Sequence, residues 1–283
     1  MYQNGYTALM LASRNGHTEC VRLLLEKEVG KQSTSGMTAL MIAAREGHVE
    51  CVRLLIDKEV GMQSTSGMTA LMLASMNGHT GCMDLLIDKE VGMQRSDGRT
   101  ALMYAAMYGH SAVVRLLMEK EVKAQDVRGK TALMYAAHSG NAECVNLLLH
   151  EESCIQSKNG YTALMFAVDN GHAGCVSLLL DRECRMQDER GKTALMLSVM
   201  YTKFVRPDLV QLLIEPEGWV KDKDGNTALL HAACIHSKDV LDIFLSNKNE
   251  CEASIEKLKV TRYLSQHQNL LNRIYDKHPG LQD

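Results

Sequence analysis

The chain has 283 residues, 46% of them hydrophobic and 23% charged, with a formal net charge of -3. That balance suits a globular protein of one large or two ordinary domains, and it gives no general attraction to nucleic acid or to an anionic membrane. No apolar run reaches the roughly 18 residues that span a bilayer, and the opening MYQNGYTALM has neither the basic nor the apolar region of a secretion leader.

The nine cysteines are therefore expected as reduced thiols in a cytoplasmic protein, one that reaches cytoskeleton or nucleus only through a partner. Methionine is abundant, and it recurs at matched places, so the period comes before any single residue. A Thr-Ala-Leu triplet begins at Thr7, Thr38, Thr69, Thr100, Thr131, Thr162, Thr193 and Thr227. The first seven stand 31 residues apart; the last interval is 34, because Tyr201–Pro207 (YTKFVRP) replaces a short turn. This predicts an all-α array over 1–250, with units near 5–35, 36–66, 67–97, 98–128, 129–159, 160–190, 191–224 and 225–250. Such units bury their apolar faces only by stacking on one another.

Within a unit the elements follow in order. Thr38 caps a first helix, Ala39–Arg45, whose Leu40, Ile42, Ala43 and Ala44 form a small-residue face. Gly47 breaks that helix with a positive φ. A second helix, Val49–Lys58, carries Cys51, Val52, Leu54, Leu55 and Ile56 at helical spacing. The segment EVGMQSTSG then returns the chain to the next unit. The insertion near Pro207 should bulge without breaking the stack. The segment 251–283 leaves the period, and its Ile255, Leu258, Leu264, Leu271 and Ile274 predict a helical cap, or else a helix that docks a partner.

The unit GMTALMIAAREGHVECVRLLI resembles the ankyrin repeat, G-x-T-P-L-H-x-A-A…G-H…V-x-L-L-L, and the resemblance covers about 90% of the chain. It implies a solenoid of about eight stacked helix-turn-helix units with short β-like fingers and a C-terminal helical cap. Ala and Met stand in place of the family's Pro and His, and the unit is two residues shorter than usual, which places the departure in the finger. The T-A-L-M style is similar to arrays expanded in some single-celled parasites, alone or behind a NEK-type protein kinase. The implied function is a non-enzymatic scaffold for protein partners. The alternative is the regulatory or targeting region of a larger protein such as a NEK-type kinase or pseudokinase; the Gly-rich loop, H-R-D and D-F-G are not in this sequence.

A recurring His-Cys pair (His17/Cys20, His48/Cys51, His79/Cys82, His172/Cys175) invites a metal reading. Zinc needs four ligands around one ion, each pair supplies two, and stacked helices stand about 8–10 Å apart. Val113 and Asn141 also replace one member each in two units. The pair is expected to be structural, like the stripe of Met41, Met72, Met103, Met134, Met165 and Met196. His231 is expected as a hydrogen-bonded core or cap residue, His138 and His150 at the surface, and the EKE and DKE runs ending the second helices as a solvated face. The motifs of nucleotide binding, metalloproteolysis and serine hydrolysis are missing. No cofactor, no metal, no specific nucleic acid, no membrane insertion and no small-molecule substrate are expected.

Function should then lie where the units differ. In ankyrin-like arrays the partner meets the face built from finger tips and the ends of the first helices. Carried over by position, this singles out Met68, Met76, Arg99, Met107, Tyr108, Arg128, Lys130, Tyr161 and Lys192. Met, Tyr and Arg are the types enriched at binding hot spots, and the basic later fingers (with Lys158 and Arg190) favour acidic partner residues. The first unit is as apolar as an interior one, so either a longer chain or another element is expected to cover it.

Overall fold

Most Thr-Ala-Leu triplets open a helix with the Thr hydroxyl accepting an early amide, whereas Thr100 opens its helix without that bond. Thr38 Oγ1 accepts Met41 N–H at 3.3 Å, and Thr7, Thr69, Thr131, Thr162 and Thr193 act alike. The computed structural model describes residues 4–200, 206–233 and 238–246. Among the described residues there are sixteen α-helices and no strand, and they form two compact units that part between Glu152 and Ser153.

The first unit holds α1 (Ala8–Arg14), α2 (Thr18–Glu28), α3 (Ala39–Glu46), α4 (Val49–Glu59), α5 (Ala70–Asn77), α6 (Thr80–Glu90), α7 (Ala101–Tyr108), α8 (Ser111–Glu121), α9 (Ala132–Ser139) and α10 (Ala142–Glu152). Odd-numbered helices pack on one another in chain order, as do even-numbered ones, giving two layers of helices. The second unit repeats the scheme with α11 (Ala163–Asp169), α12 (Ala173–Glu183), α13 (Ala194–Met200), α14 (Pro207–Glu217), α15 (Ala228–Ala233) and α16 (Lys238–Ser246).

The core follows the period. Met10, Met41, Met72, Met103, Met134, Met165 and Met196 are at most 1% exposed, between Ala43, Ala74, Ala105, Ala136 and Ala167 at 0%. Small Ala faces let first helices approach closely, and flexible Met fills the remaining gaps. Helix α3 runs one residue beyond the expected Arg45, because Gly47 at φ 80° lets His48 N–H close onto Ala43 O at 2.9 Å. A Cβ on Gly47 would sit 2.6 Å from His79 Nδ1 of the next helix pair. Glycine is needed there twice over, for its backbone and for the approach.

The β-like fingers reduce to turns. Gly36 N–H bonds Ser33 O at 2.9 Å and Ser33 N–H bonds Met37 O at 2.9 Å, while a single backbone–backbone bond, Thr65 N–H to Ser35 O at 3.1 Å, joins this finger to the next. The shortened unit leaves too few residues for a ladder. In the second unit Pro207 takes the first turn of α14, and α13 packs on both α14 and α15, so stacking continues past the insertion. Tyr201–Val205 and the expected cap at 251–283 lie outside the described residues.

The finger and inner-helix surface as candidate binding site

The acidic runs are not wholly a solvated face. Their first letter is: Asp57 and Asp88 accept Lys89 and Lys120 of the following run at 2.9 and 2.7 Å, with the acids 81% and 79% exposed. Their last letter is core from the second run on, Glu28 of the first being partly exposed. Glu59, Glu90, Glu152 and Glu183 are 1% exposed, Glu121 4% and Glu217 0%. Glu59 Oε2 accepts Leu40 N–H at 2.7 Å and Oε1 accepts Gly30 N–H of the preceding turn at 2.9 Å. The same two bonds recur at Glu90, Glu121, Glu152, Glu183 and Glu217. A carboxylate buried at a helix N-terminus is tolerable because free N–H groups and the helix dipole both favour it. Burial pushes the Glu152, Glu183 and Glu217 carboxyls up, and backbone N–H donors with the Thr131, Thr162 and Thr193 hydroxyls pull them partly back.

The His and Cys are engaged separately. His48 Nε2 bonds Arg14 O at 3.1 Å, His79 bonds Arg45 O at 2.9 Å and His110 bonds Met76 O at 3.0 Å, each reaching the preceding first helix. Where Asn141 replaces His, its amide donates to Ala106 O and Met107 O, both at 2.9 Å. Arg206, at the N-cap of α14 in the second unit, donates instead to the turn carbonyl Gly171 O at 3.0 Å. Cys51, Cys82, Cys144, Cys175 and the substituting Val113 are 0–1% exposed. Burial raises the Cys51 and Cys175 thiols and lifts Cys82 to about 11, far from the thiolate that metals bind. One recurring device was legible but unread: Gln32 Nε2 donates to Gly36 O and to Gln63 O, and Gln63 and Gln156 continue the pattern to Gln94 O and Gln187 O at 2.9–3.0 Å. Its signal was the Gln at 32, 63, 94, 125, 156 and 187.

With the frame so bonded, the odd residues stand out. In the first unit Met68 at a finger, and Met76 and Met107 in the last turns of α5 and α7, are partly exposed. Tyr108 is 46% exposed and Arg128 is exposed at its finger tip beside Val127 at 54%. Arg99 and Lys130 meet over one ring, their charged groups 5.0 and 5.7 Å from the centre of Tyr135. Tyr104 and Tyr135, fourth in their helices and each 4% exposed, lie beneath this surface and bond the arginines and Asp126 of its fingers. Tyr135 donates to Asp126 Oδ2 at 2.6 Å and accepts Arg99 Nε at 2.9 Å, while Arg95 Nη1 reaches Tyr104 Oη at 3.3 Å. Asp126 Oδ1 meanwhile accepts the N–H groups of Arg128 and Lys130, both at 2.8 Å, closing the finger. Burial and the Asp126 contact together raise the Tyr135 phenol, which stays a proton donor to Asp126.

In the second unit Tyr161 packs on Phe166, ring centres 5.4 Å apart, and with Asn159, Asp188, Glu189 and Arg190 lines a cleft of about 320 Å³. Lys192 departs from expectation. It is 9% exposed with Nζ 3.4 Å from Met200 Sδ, so its cation is folded onto the helix instead of offered outward. Asp188 and Glu189 also stand beside Arg190 and Lys192, so the basic character expected of later fingers is offset there. His231 bonds Asp222 Oδ2 at 2.8 Å, nine residues away, in the same finger-to-helix register as Tyr135 and Asp126.

Among the described residues no three metal-ligating side chains gather, and no helix is long and apolar enough to cross a membrane. The family model for ankyrin repeats (three copies) matches residues 1–65, 57–126, 119–189 and 181–257. No curated protein matches the chain. Ankyrin repeats are generally protein–protein interaction modules and typically non-catalytic. By its capped helix pairs, the His and Glu bonds between successive pairs and this match over most of its length, the chain belongs to the ankyrin-repeat family.

Proposed function

We propose that this protein is a non-enzymatic cytoplasmic scaffold whose partner proteins lie across the fingers and first helices of the first compact unit. Met68, Met76, Arg99, Met107, Tyr108, Arg128 and Lys130 supply that surface, and Tyr161 with its cleft is a separate contact of the second unit. The observation that carries the reading is the division of labour: the recurring Thr, His, Gln and Glu are bonded within and between helix pairs, while Tyr108 remains 46% exposed at a helix end. A large ring that needs no framework bond costs little entropy to immobilise and desolvates well.

Proximity labelling from the intact protein, repeated with Met76→Ala/Tyr108→Ala, tests this. Proteins recovered with the parent and lost with the double substitution are the expected outcome. An unchanged set of recovered proteins removes this surface as the binding site.

A further inference from the structure

We propose that the finger carrying Arg95 and Arg99 captures an Asp or Glu carboxylate of an acidic segment in the protein partner. This rests on the protein-binding reading above and names the chemistry of its central contact. Arg95 Nη1 donates to Asp97 Oδ2 at 2.9 Å, and Arg99 Nε stands 3.5 Å from the same oxygen. Two guanidiniums therefore share one carboxylate, and the trio keeps one positive charge. Each arginine side chain is 28% exposed, neither buried nor freely mobile.

Arg99 is also held in place. Its Nε donates to Tyr135 Oη, whose own proton goes to Asp126 at 2.6 Å, so the phenol presents a lone pair to Arg99. Nη1 and Nη2 of Arg99 make no hydrogen bond among the described residues, and Arg95 Nε is buried without a partner. The charges nearby are Arg128 and Lys130 against Asp126, and Asp126 already accepts bonds from Arg128 N–H, Lys130 N–H and Tyr135. The preceding finger (Ser64, Thr65, Ser66) is neutral. A guanidinium fixed through Nε with its two terminal amines unused matches a planar carboxylate edge to edge. Arg95 and Arg99 would then meet two carboxylates, one of their own and one from outside. Tyr135 is a positioning residue in this arrangement.

The experiment selects binders from a random peptide display library against the intact protein. Affinities follow by fluorescence anisotropy for the parent, Arg99→Gln, Arg99→Lys, Tyr135→Phe, Met76→Ala/Tyr108→Ala and, as a surface control, Arg22→Gln. Circular dichroism checks that each variant is folded. Selected peptides should be rich in Asp and Glu, and their affinity should fall on raising salt from about 50 to about 300 mM. Arg99→Gln should weaken them about tenfold, Arg99→Lys should restore only part, and Tyr135→Phe should lie between. Removing the peptide's acid should cost nothing further in Arg99→Gln. Peptides that need Met76 and Tyr108 but ignore Arg99 overturn this inference and leave the binding surface standing. Peptides indifferent to both, or a library that yields no binder, overturn both.

Discussion

Replacing Glu90 with glutamine tests the buried carboxylate that joins successive helix pairs. Glu90 is 1% exposed, with Oε2 accepting Leu71 N–H at 2.7 Å and Oε1 accepting Gly61 N–H at 3.0 Å. Glutamine keeps the shape but has one acceptor, so one buried N–H loses its bond and faces an NH₂ group. An orphaned buried donor costs about 1–3 kcal/mol. Loss of charge in the surviving bond and at the N-terminus of α5 adds about 1 kcal/mol more. The amide escapes the desolvation of a carboxylate, which offsets part of this. The expected loss is about 2–4 kcal/mol, and with an m-value near 2 kcal/mol/M in urea the midpoint falls by about 1–2 M. Far-UV circular dichroism measures the midpoint, and native-state hydrogen exchange should show Leu71 N–H losing protection. Asp88→Asn is the control: that acid is 79% exposed with one ion pair, so a change within about 0.5 kcal/mol is expected. A Glu90→Gln midpoint within about 0.2 M of the parent, with Leu71 as protected as before, would refute the reasoning.

Further outcomes follow from the same bonds. Burial raises Glu183, so its contribution is fully present below the unfolded value of about 4.3 and is lost as pH rises through the folded one. The urea-measured penalty of Glu183→Gln should therefore shrink from pH 4 to pH 7. Burial opposes Asp222, but Asn226 N–H, His231 and Asp224 N–H hold its carboxyl below the usual range. The Asp222→Asn penalty should instead be present at pH 7 and fade below about pH 4, and equal slopes for the two variants would contradict both assignments. His79→Ala should cost about 1 kcal/mol, from the lost bond to Arg45 O. His79→Asn should cost less, since Asn141 makes that bond elsewhere; denaturation midpoints in the reverse order would exclude this role. Lys123 holds φ 67° where Gly30, Gly61 and Gly92 occupy the matching turn at 76–80°, so Lys123→Gly should stabilise by about 0.5–1 kcal/mol in the same urea assay.

What the amino-acid order determined by itself is everything local and repeated. The period, the Thr caps, the glycine that ends each first helix and the Met and Cys core positions depend on neighbours within a few residues, and repetition multiplies the signal. The Cys-to-Val and His-to-Asn exchanges carried the right meaning too, because each preserves what its place requires: apolar volume in one case, a donor in the other. The tertiary structure alone decided which polar letters face water. Glu59 and Asp57 look alike in DKE, yet the first meets Leu40 N–H 19 residues away and the second meets only a lysine at the surface. In the candidate site it decided that Arg99 is held by Tyr135, 36 residues on, and that Lys192 folds onto Met200. A side chain's partner across a stack depends on the distance and orientation of another helix pair, and no local pattern encodes either.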